Sequence, residues 1–259
     1  MRRRFLYHRI EVSRSMNDSV LEIPLMNLAL AFIPALAAIA ILYRWSLNAG
    51  TTLYGMSRML IQLLLIGYFL SYIFEAEQAW IVLAVLAVMV IASSWIALRT
   101  VQGSRSALYR QSIASVLLGG GLTLVLITQG VLDLDPWFSA RMMVPLAGMI
   151  FAAAMNSVSL AAERLEAEVQ RGAAYEEARG IALKAALIPI TNSLFAVGLV
   201  SLPGMMTGQI LSGVSPLIAA RYQIMVMCMM FGSAGISAAC FLVLARGHAA
   251  GMVAGKEAV

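Results

Sequence analysis

The sequence predicts an all-α membrane bundle of about seven transmembrane helices, and three observations carry that prediction. First, 61% of the 259 residues are hydrophobic and only 12% are charged. Soluble domains run at about 45–50% apolar and about 25% charged, so this chain lacks the polar surface to cover a water-soluble globule. Second, its apolar residues form continuous runs near the ~20 residues that a helix needs to cross a ~30 Å hydrocarbon core. Strands of a membrane barrel would alternate and be shorter. Third, the few charges collect between these runs. A cytosolic enzyme and a disordered chain are both excluded.

That criterion gives seven candidate runs in order along the chain. They are Ile23–Tyr43, Met59–Phe74 (short, and flanked by Arg58 and Glu75), Ala79–Leu98, Ser112–Leu132, Met142–Ala162, Ala185–Leu202 and Tyr222–Ala245. The fourth passes through a glycine triplet, Gly119 to Gly121, and the sixth ends at Pro203. Lys and Arg in short loops set orientation. Arg44, Arg58, Arg99, Arg105, Arg110, Arg164, Arg171, Arg179, Lys184, Arg246 and Lys256 fall on one side, against Arg141 and Arg221 on the other. The acids Glu75, Glu77, Asp133 and Asp135 also lie on that poorer side. The basic side is expected to be cytoplasmic, with the N-terminus outside and the C-terminus inside.

Residues 1–15 run against this pattern, because Arg2, Arg3, Arg4, Arg9 and Arg14 would lie outside. They contribute +4 of the formal charge of +5, so the basic balance does not point to nucleic acid. No apolar stretch follows them before Ile23, which excludes a signal peptide. The expected organisation is a basic extension at 1–15, upstream of a natural start at Met16. A permease domain follows at 16–246, then a cytoplasmic tail at 247–259.

Catalysis within this chain is not expected. The histidines, His8 and His248, lie in the tails, and no HExxH, paired-cysteine or GxSxG motif occurs. Gly251 to Glu257 approximates a phosphate loop but lacks its first glycine and its Ser/Thr. Cys228 and Cys240 share one helical run, about 18 Å apart, beyond disulfide reach. Any energy for transport must come from a partner or an ion gradient, and no carboxylate sits deep in a span to couple a gradient.

The longest polar connector is Glu163 to Lys184, rich in Ala, Glu and Arg, with Gly172 predicted as a break between two helical pieces. Leu165, Val169 and Ala173 give it one weakly apolar face. It reads either as a solvated link or as a helix that docks into a partner. Glu166-Ala167-Glu168 followed by Gly172 resembles the EAA–xxx–G pattern of ABC-transporter permeases, although Pro189 follows that glycine by 17 positions, about one turn more than in importers.

Further along come Ala186–Ser193 (with Asn192), Gly198–Gly213, Pro216 and Ala220–Ile224. Together with Arg58, Gln62, Leu63, Gly67, Leu70, Asn156, Ser157, Glu163 and Arg164, this stretch resembles the bacterial iron-export ABC permeases (FetB-like), whose plant relatives act in aluminium tolerance. The resemblance covers roughly residues 17 to 245. It implies a multi-pass subunit of the bacterial inner membrane, paired as a homodimer, without a cofactor of its own. Two copies of an ATP-binding subunit would carry ATP and Mg and dock on a coupling loop holding Glu163, Arg164, Glu166, Ala167, Gly172 and Glu177. Export of iron or another metal ion is the implied activity; a nucleotide sugar or other small organic solute is the alternative cargo. A non-transporting assembly factor is the reading outside transport.

Residues 202–216 carry two prolines and three glycines and cannot form one uninterrupted helix. They read as an outer turn or as a segment that dips back to line a path, with Pro203, Gly204, Met205, Met206, Thr207, Gly208 and Gln209 as its candidate residues. Gln62, Asn156 and Asn192 interrupt apolar runs and are expected to face the bundle interior, bonding between helices or contacting substrate. Met225, Met227, Met229 and Met230 point in several directions around one helix and read as packing. Gly235 and Ala239, four apart, are expected to permit a close helix contact. No metal-ligand set is predicted.

Overall fold

The computed structural model describes residues 23–75, 78–101 and 105–247. The proposed extension 1–15, Met16, Glu77, and the tail from His248 through Lys256 lie outside the described residues. The chain forms helices throughout: α1 (Leu25–Arg44), α2 (Ala49–Phe74), α3 (Ala79–Ala97), α4 (Arg105–Val131), α5 (Ala140–Gln170), α6 (Tyr175–Ala196), α7 (Gly204–Leu211) and α8 (Pro216–Leu244). Among the described residues, six helices are long and apolar enough to cross a membrane, namely α1 to α5 and α8.

The chain divides into two compact units, Met1–Tyr72 with Gln209–Val214, and Ile73–Gly208 with Ser215–Val259. In the first unit, α1 is a 20-residue span interrupted at Ala31. Helix α2 begins ten residues before the expected Met59, because Asn48 caps it: the Asn48 Oδ1 accepts the Thr51 amide at 3.1 Å. Arg58 therefore lies inside a helix, not in the expected loop.

The second unit is built around α5, which packs on α8, α6 and α3. At 31 residues it is roughly 46 Å long, well beyond a ~30 Å core. Small residues let its neighbours approach closely: Ala154, Ser157, Ala161 and Ala162 on α5, Ala178, Ala182 and Ala186 on α6, Ser233, Ser237 and Ala238 on α8 are all buried. Gly235, expected with Ala239 to permit close contact within the chain or across a dimer, makes no tight contact within the chain. A Cβ on Gly235 would meet its nearest neighbour at an ordinary 3.9 Å. The tight crossing is instead at Gly119 of α4, where an added Cβ would lie 2.5 Å from the Ser237 backbone nitrogen. Gly120 faces Phe151 in the same way, at 2.8 Å, whereas Gly121 opens onto free space. Around this triplet α4 widens into π-helical turns at Leu117–Gly121 and again at Leu126–Val131. Met229 is fully buried and Met205, Met225 and Met230 pack against the same core, consistent with packing roles.

The sixth expected span differs most. Helix α6 starts at Tyr175, keeps Pro189 in its interior and ends at Ala196, seven residues before Pro203. Its apolar part, from Ala185, extends only about 18 Å. A turn closes it: Val197 bridges Ser201, the Gly198 amide donates to the Ser201 carbonyl at 3.0 Å, and Gly198 has φ +84°. Residues 202–216 are broken as expected, into the eight-residue α7 and a second turn at Gly213, φ +90°. Pro216 then opens α8 at its first turn, where a missing amide costs nothing.

Candidate functional site

The ends of α3, α5 and α8 and the starts of α4 and α6 gather around one cluster that includes Leu98, Leu108, Val169, Ala178 and Phe241. The opposite ends surround a second cluster including Val82, Ile127, Met143 and Val226. Chain direction thus alternates between neighbours. As a result Arg99, Arg105, Arg110, Arg164, Arg171, Arg179, Lys184 and Arg246 all lie towards the first end, and Arg141, Asp133 and Asp135 towards the second.

At the basic end, the connector from Glu163 to Lys184 is a helical hairpin, not a loop. Ala, Glu and Arg are strong helix formers, so α5 continues for two turns past its apolar run. Gly172 stops it as the spacing predicts, at φ +92°, a conformation that glycine adopts without a steric penalty. Its amide donates to the Val169 carbonyl and the Ala173 amide to the Glu168 carbonyl, both at 3.1 Å. That is the bond pair of a Schellman motif. The acids Glu176 and Glu177 then fall in the first turn of α6, where they favour the helix dipole.

The weakly apolar face is turned inward: Leu165 and Val169 are buried and Ala173 half-buried against the protein's own core. Glu168, 8% exposed, is held by Arg164 at 2.7 Å and Arg171 at 3.2 Å. Tyr175 donates its hydroxyl to the Leu242 carbonyl. Glu176 pairs with Arg179 at 2.6 Å and reaches Arg246 at 3.7 Å. Both arginines also lie over the Tyr175 ring, 5.9 and 5.6 Å from its centre. Burial pushes the Tyr175 phenol above its usual range, with Glu176 adding to the rise and Arg179 and Arg246 opposing it. What remains on the outside is polar: Glu163, Gln170, Arg171, Gly172, Glu176 and Glu177 are exposed, with Arg164, Glu166 and Ala167 half-buried. Sequence reasoning missed Glu168 and Tyr175 as the residues that fix the hairpin. The spacing of Glu168 four after Arg164 and three before Arg171 was the available signal.

The candidate path residues are distributed differently from expectation. Gln62, Asn156 and Asn192 are exposed, not interior. On α5 the buried stripe runs through Ala153, Ala154, Ser157 and Val158, and Asn156 falls outside it. Asn156 and Asn192 lie on adjacent helices, since α5 packs against α6. Pro203 sits at the entry to α7, where its carbonyl accepts the Thr207 amide at 3.0 Å and the Thr207 hydroxyl at 3.2 Å. Gly204 and Gly208 are exposed, while Met205, Met206, Thr207 and Gln209 are half-buried. Among the described residues no three His, Cys, Asp or Glu side chains converge as a metal site.

Comparison with known proteins agrees with this architecture. The chain matches the family model described as "Uncharacterised protein family (UPF0014)" over residues 25–179 and 169–249. It is 38% identical over 211 residues to a UPF0014 membrane protein of Synechocystis sp., covering 74% of this chain and 80% of that one. It is 34% identical over 235 residues to the probable iron export permease protein FetB of Escherichia coli K12, with 83% and 89% covered. It is also 34% identical over 226 residues to protein ALUMINUM SENSITIVE 3 of Arabidopsis thaliana, covering 81% of each. No solved structure matches. With its six apolar helices and this sequence similarity, the chain is a multi-pass membrane protein that belongs to the UPF0014 family.

Proposed function

We propose that this chain is the membrane-spanning subunit of an ABC exporter, with iron as the leading cargo and a separate ATP-binding subunit supplying the energy. The observation that carries the reading is the hairpin between α5 and α6. It is a polar knob that joins α5 to α6, is stiffened within α5 by Glu168, and is tied to the end of α8 by Tyr175 and Glu176. A partner pressing on Glu163, Glu166, Ala167, Gly172 or Glu177 would move α5, α6 and α8 together. The basic end then faces the cytoplasm of a bacterial inner membrane by the excess of Lys and Arg there. The similarity to the E. coli protein named as a probable iron export permease supports the cargo and direction.

A broken span supports a path. The apolar part of α6 reaches only about 18 Å into a ~30 Å core, so the turn after Ala196 sits at membrane depth. Irregular backbone survives there only inside protein or beside a water-filled cavity. Pro203 to Gln209 and the outward amides Asn156 and Asn192 are assigned to that path, completed by a second copy of the chain.

Co-expression with an ATP-binding subunit should give ATP turnover that collapses when Glu166 and Gly172 are both replaced by arginine. Everted vesicles holding both subunits should accumulate radiolabelled iron only with ATP. Accumulation without the ATP-binding subunit would overturn the ABC assignment, and ATP-driven uptake of a competing organic solute instead of iron would overturn the cargo.

A further inference from the structure

A groove of about 440 Å³ runs along the outer surface between α3 and α4. Leu83, Ala87 and Ile91 line one wall, and Ile113, Leu117 and Gly121 the other. Leu83, Ile91 and Leu117 are half or more exposed, so the groove opens sideways to the bilayer. From Ile113 to Gln129 it follows α4 for about 24 Å, most of the depth of a ~30 Å core.

Each wall ends in an arginine at the same end of the bundle. On α3 the row Leu83, Ala87, Ile91 continues at the same spacing to Trp95 and then Arg99, just past the helix. On α4, Arg110 heads the row Ile113, Leu117, Gly121, spaced three and four apart. Between them Arg105 stacks on Trp95, its guanidinium 3.8 Å from the ring centre, and donates to the Trp95 carbonyl. Tyr109 packs edge-on against the same ring and donates to the Ile91 carbonyl at 3.2 Å. This tryptophan–arginine–tyrosine platform lies one turn beyond Ile91, at the end of the groove where the arginines collect, and it combines the residue types found at membrane interfaces. From Ala79 to Leu132 the sequence holds three arginines and no acidic residue. Arg99 and Arg110 are exposed.

We propose that this groove is a binding site for an anionic phospholipid, its acyl chain between α3 and α4 and its phosphate at Arg99 and Arg110 beside the Trp95 platform. Apolar walls alone would take any lipid tail. The exposed arginines at the mouth, in a stretch of sequence without acids, favour a negative headgroup.

The test uses the full chain purified in mild detergent, titrated with phosphatidylglycerol and with phosphatidylcholine of the same tails, and bound lipid counted by native mass spectrometry. At about five-fold per arginine, phosphatidylglycerol should bind about 25-fold more tightly. Arg99→Gln with Arg110→Gln should erase most of that preference while phosphatidylcholine binding, which rests mainly on the apolar walls, falls far less, and an unchanged melting temperature of the lipid-free double variant shows that it is folded. Gly121→Leu, whose Cβ would meet nothing within 4 Å, should fill the groove and weaken both lipids. Equal binding of the two lipids, or a preference that survives the double variant, would overturn the proposal. So would a loss of thermal stability in lipid-free Gly121→Leu, because it would mean that protein already fills the groove.

Discussion

Replacing Gly119 with alanine adds one methyl group where α4 crosses α8, the tightest surroundings of any described glycine. The new Cβ would lie 2.2 Å from the Ser237 hydroxyl oxygen, 2.5 Å from its backbone nitrogen and 2.8 Å from its Cα. Ordinary separations between non-bonded heavy atoms are about 3.5–4.0 Å, so α4 and α8 must part by about 1 Å. A rotamer change relieves only the hydroxyl contact, since the other two atoms are backbone. Over-packing of this kind costs about 1–3 kcal/mol, and a backbone obstacle places Gly119→Ala at the upper end. Gly121, two residues on, is the control. Its Cβ would meet nothing within 4 Å, and alanine there gains up to about 1 kcal/mol of helix propensity. The two alanine variants should therefore melt roughly 10 °C apart, at about 2–4 °C per kcal/mol. Tryptophan fluorescence during thermal unfolding in detergent would measure this. Adding Ser237→Gly to Gly119→Ala should restore only a minor part of the loss, because the Ser237 nitrogen stays in place. Equal stability of the two alanine variants, or full rescue by Ser237→Gly, would refute the crossing.

The hairpin gives three further outcomes. Tyr175→Phe deletes the hydroxyl that donates to Leu242 and should cost about 1 kcal/mol. In the parent, a phenol raised in the folded state contributes stability below the unfolded pKa that is lost as pH rises through the folded one, so alkaline melting curves should converge with those of the variant. Glu168→Ala strips two arginines of their shared carboxylate and should cost about 1–3 kcal/mol, whereas Glu163→Ala, on the exposed face, should stay within about 0.5 kcal/mol; urea or SDS titration in micelles distinguishes them. Gly172→Val forces a β-branched residue to φ +92° and should lower both melting temperature and ATP turnover with the partner subunit.

Much of this was legible in the sequence, because hydropathy reports where the membrane lies, and six of the seven runs fall in helices long and apolar enough to cross one. Helix ends were not. Hydropathy placed the start of α2 at Met59, while the backbone obeys the Asn48 cap. It stopped the fifth run at Ala162, while α5 continues to Gln170 because Glu and Arg propagate a helix as well as apolar residues do. Conversely Pro203 suggested where the sixth run ends, yet Gly198 turns the chain earlier. The polar hairpin and its glycine stop were readable from composition, but the direction of its apolar face was not. Leu165 and Val169 have a partner inside the same chain that only tertiary packing supplies. The outward position of Asn156 was equally hidden, since small and apolar residues surround it in sequence and mark no one face of α5 as the buried one.

The length of α5 turns a local fastening into a mechanical one. Its last turns are tied through the hairpin to α6 and to the end of α8, so force applied there has no loop in which to dissipate. A tilt of about 10° along roughly 46 Å of helix carries one end about 8 Å relative to the other. The close crossing of α4 and α8 at Gly119 leaves little room for sliding and makes tilting the cheaper response. Pivoted at its middle, α5 would thus carry a displacement of about 4 Å at the polar tip to an opposite one of about 4 Å at its other end.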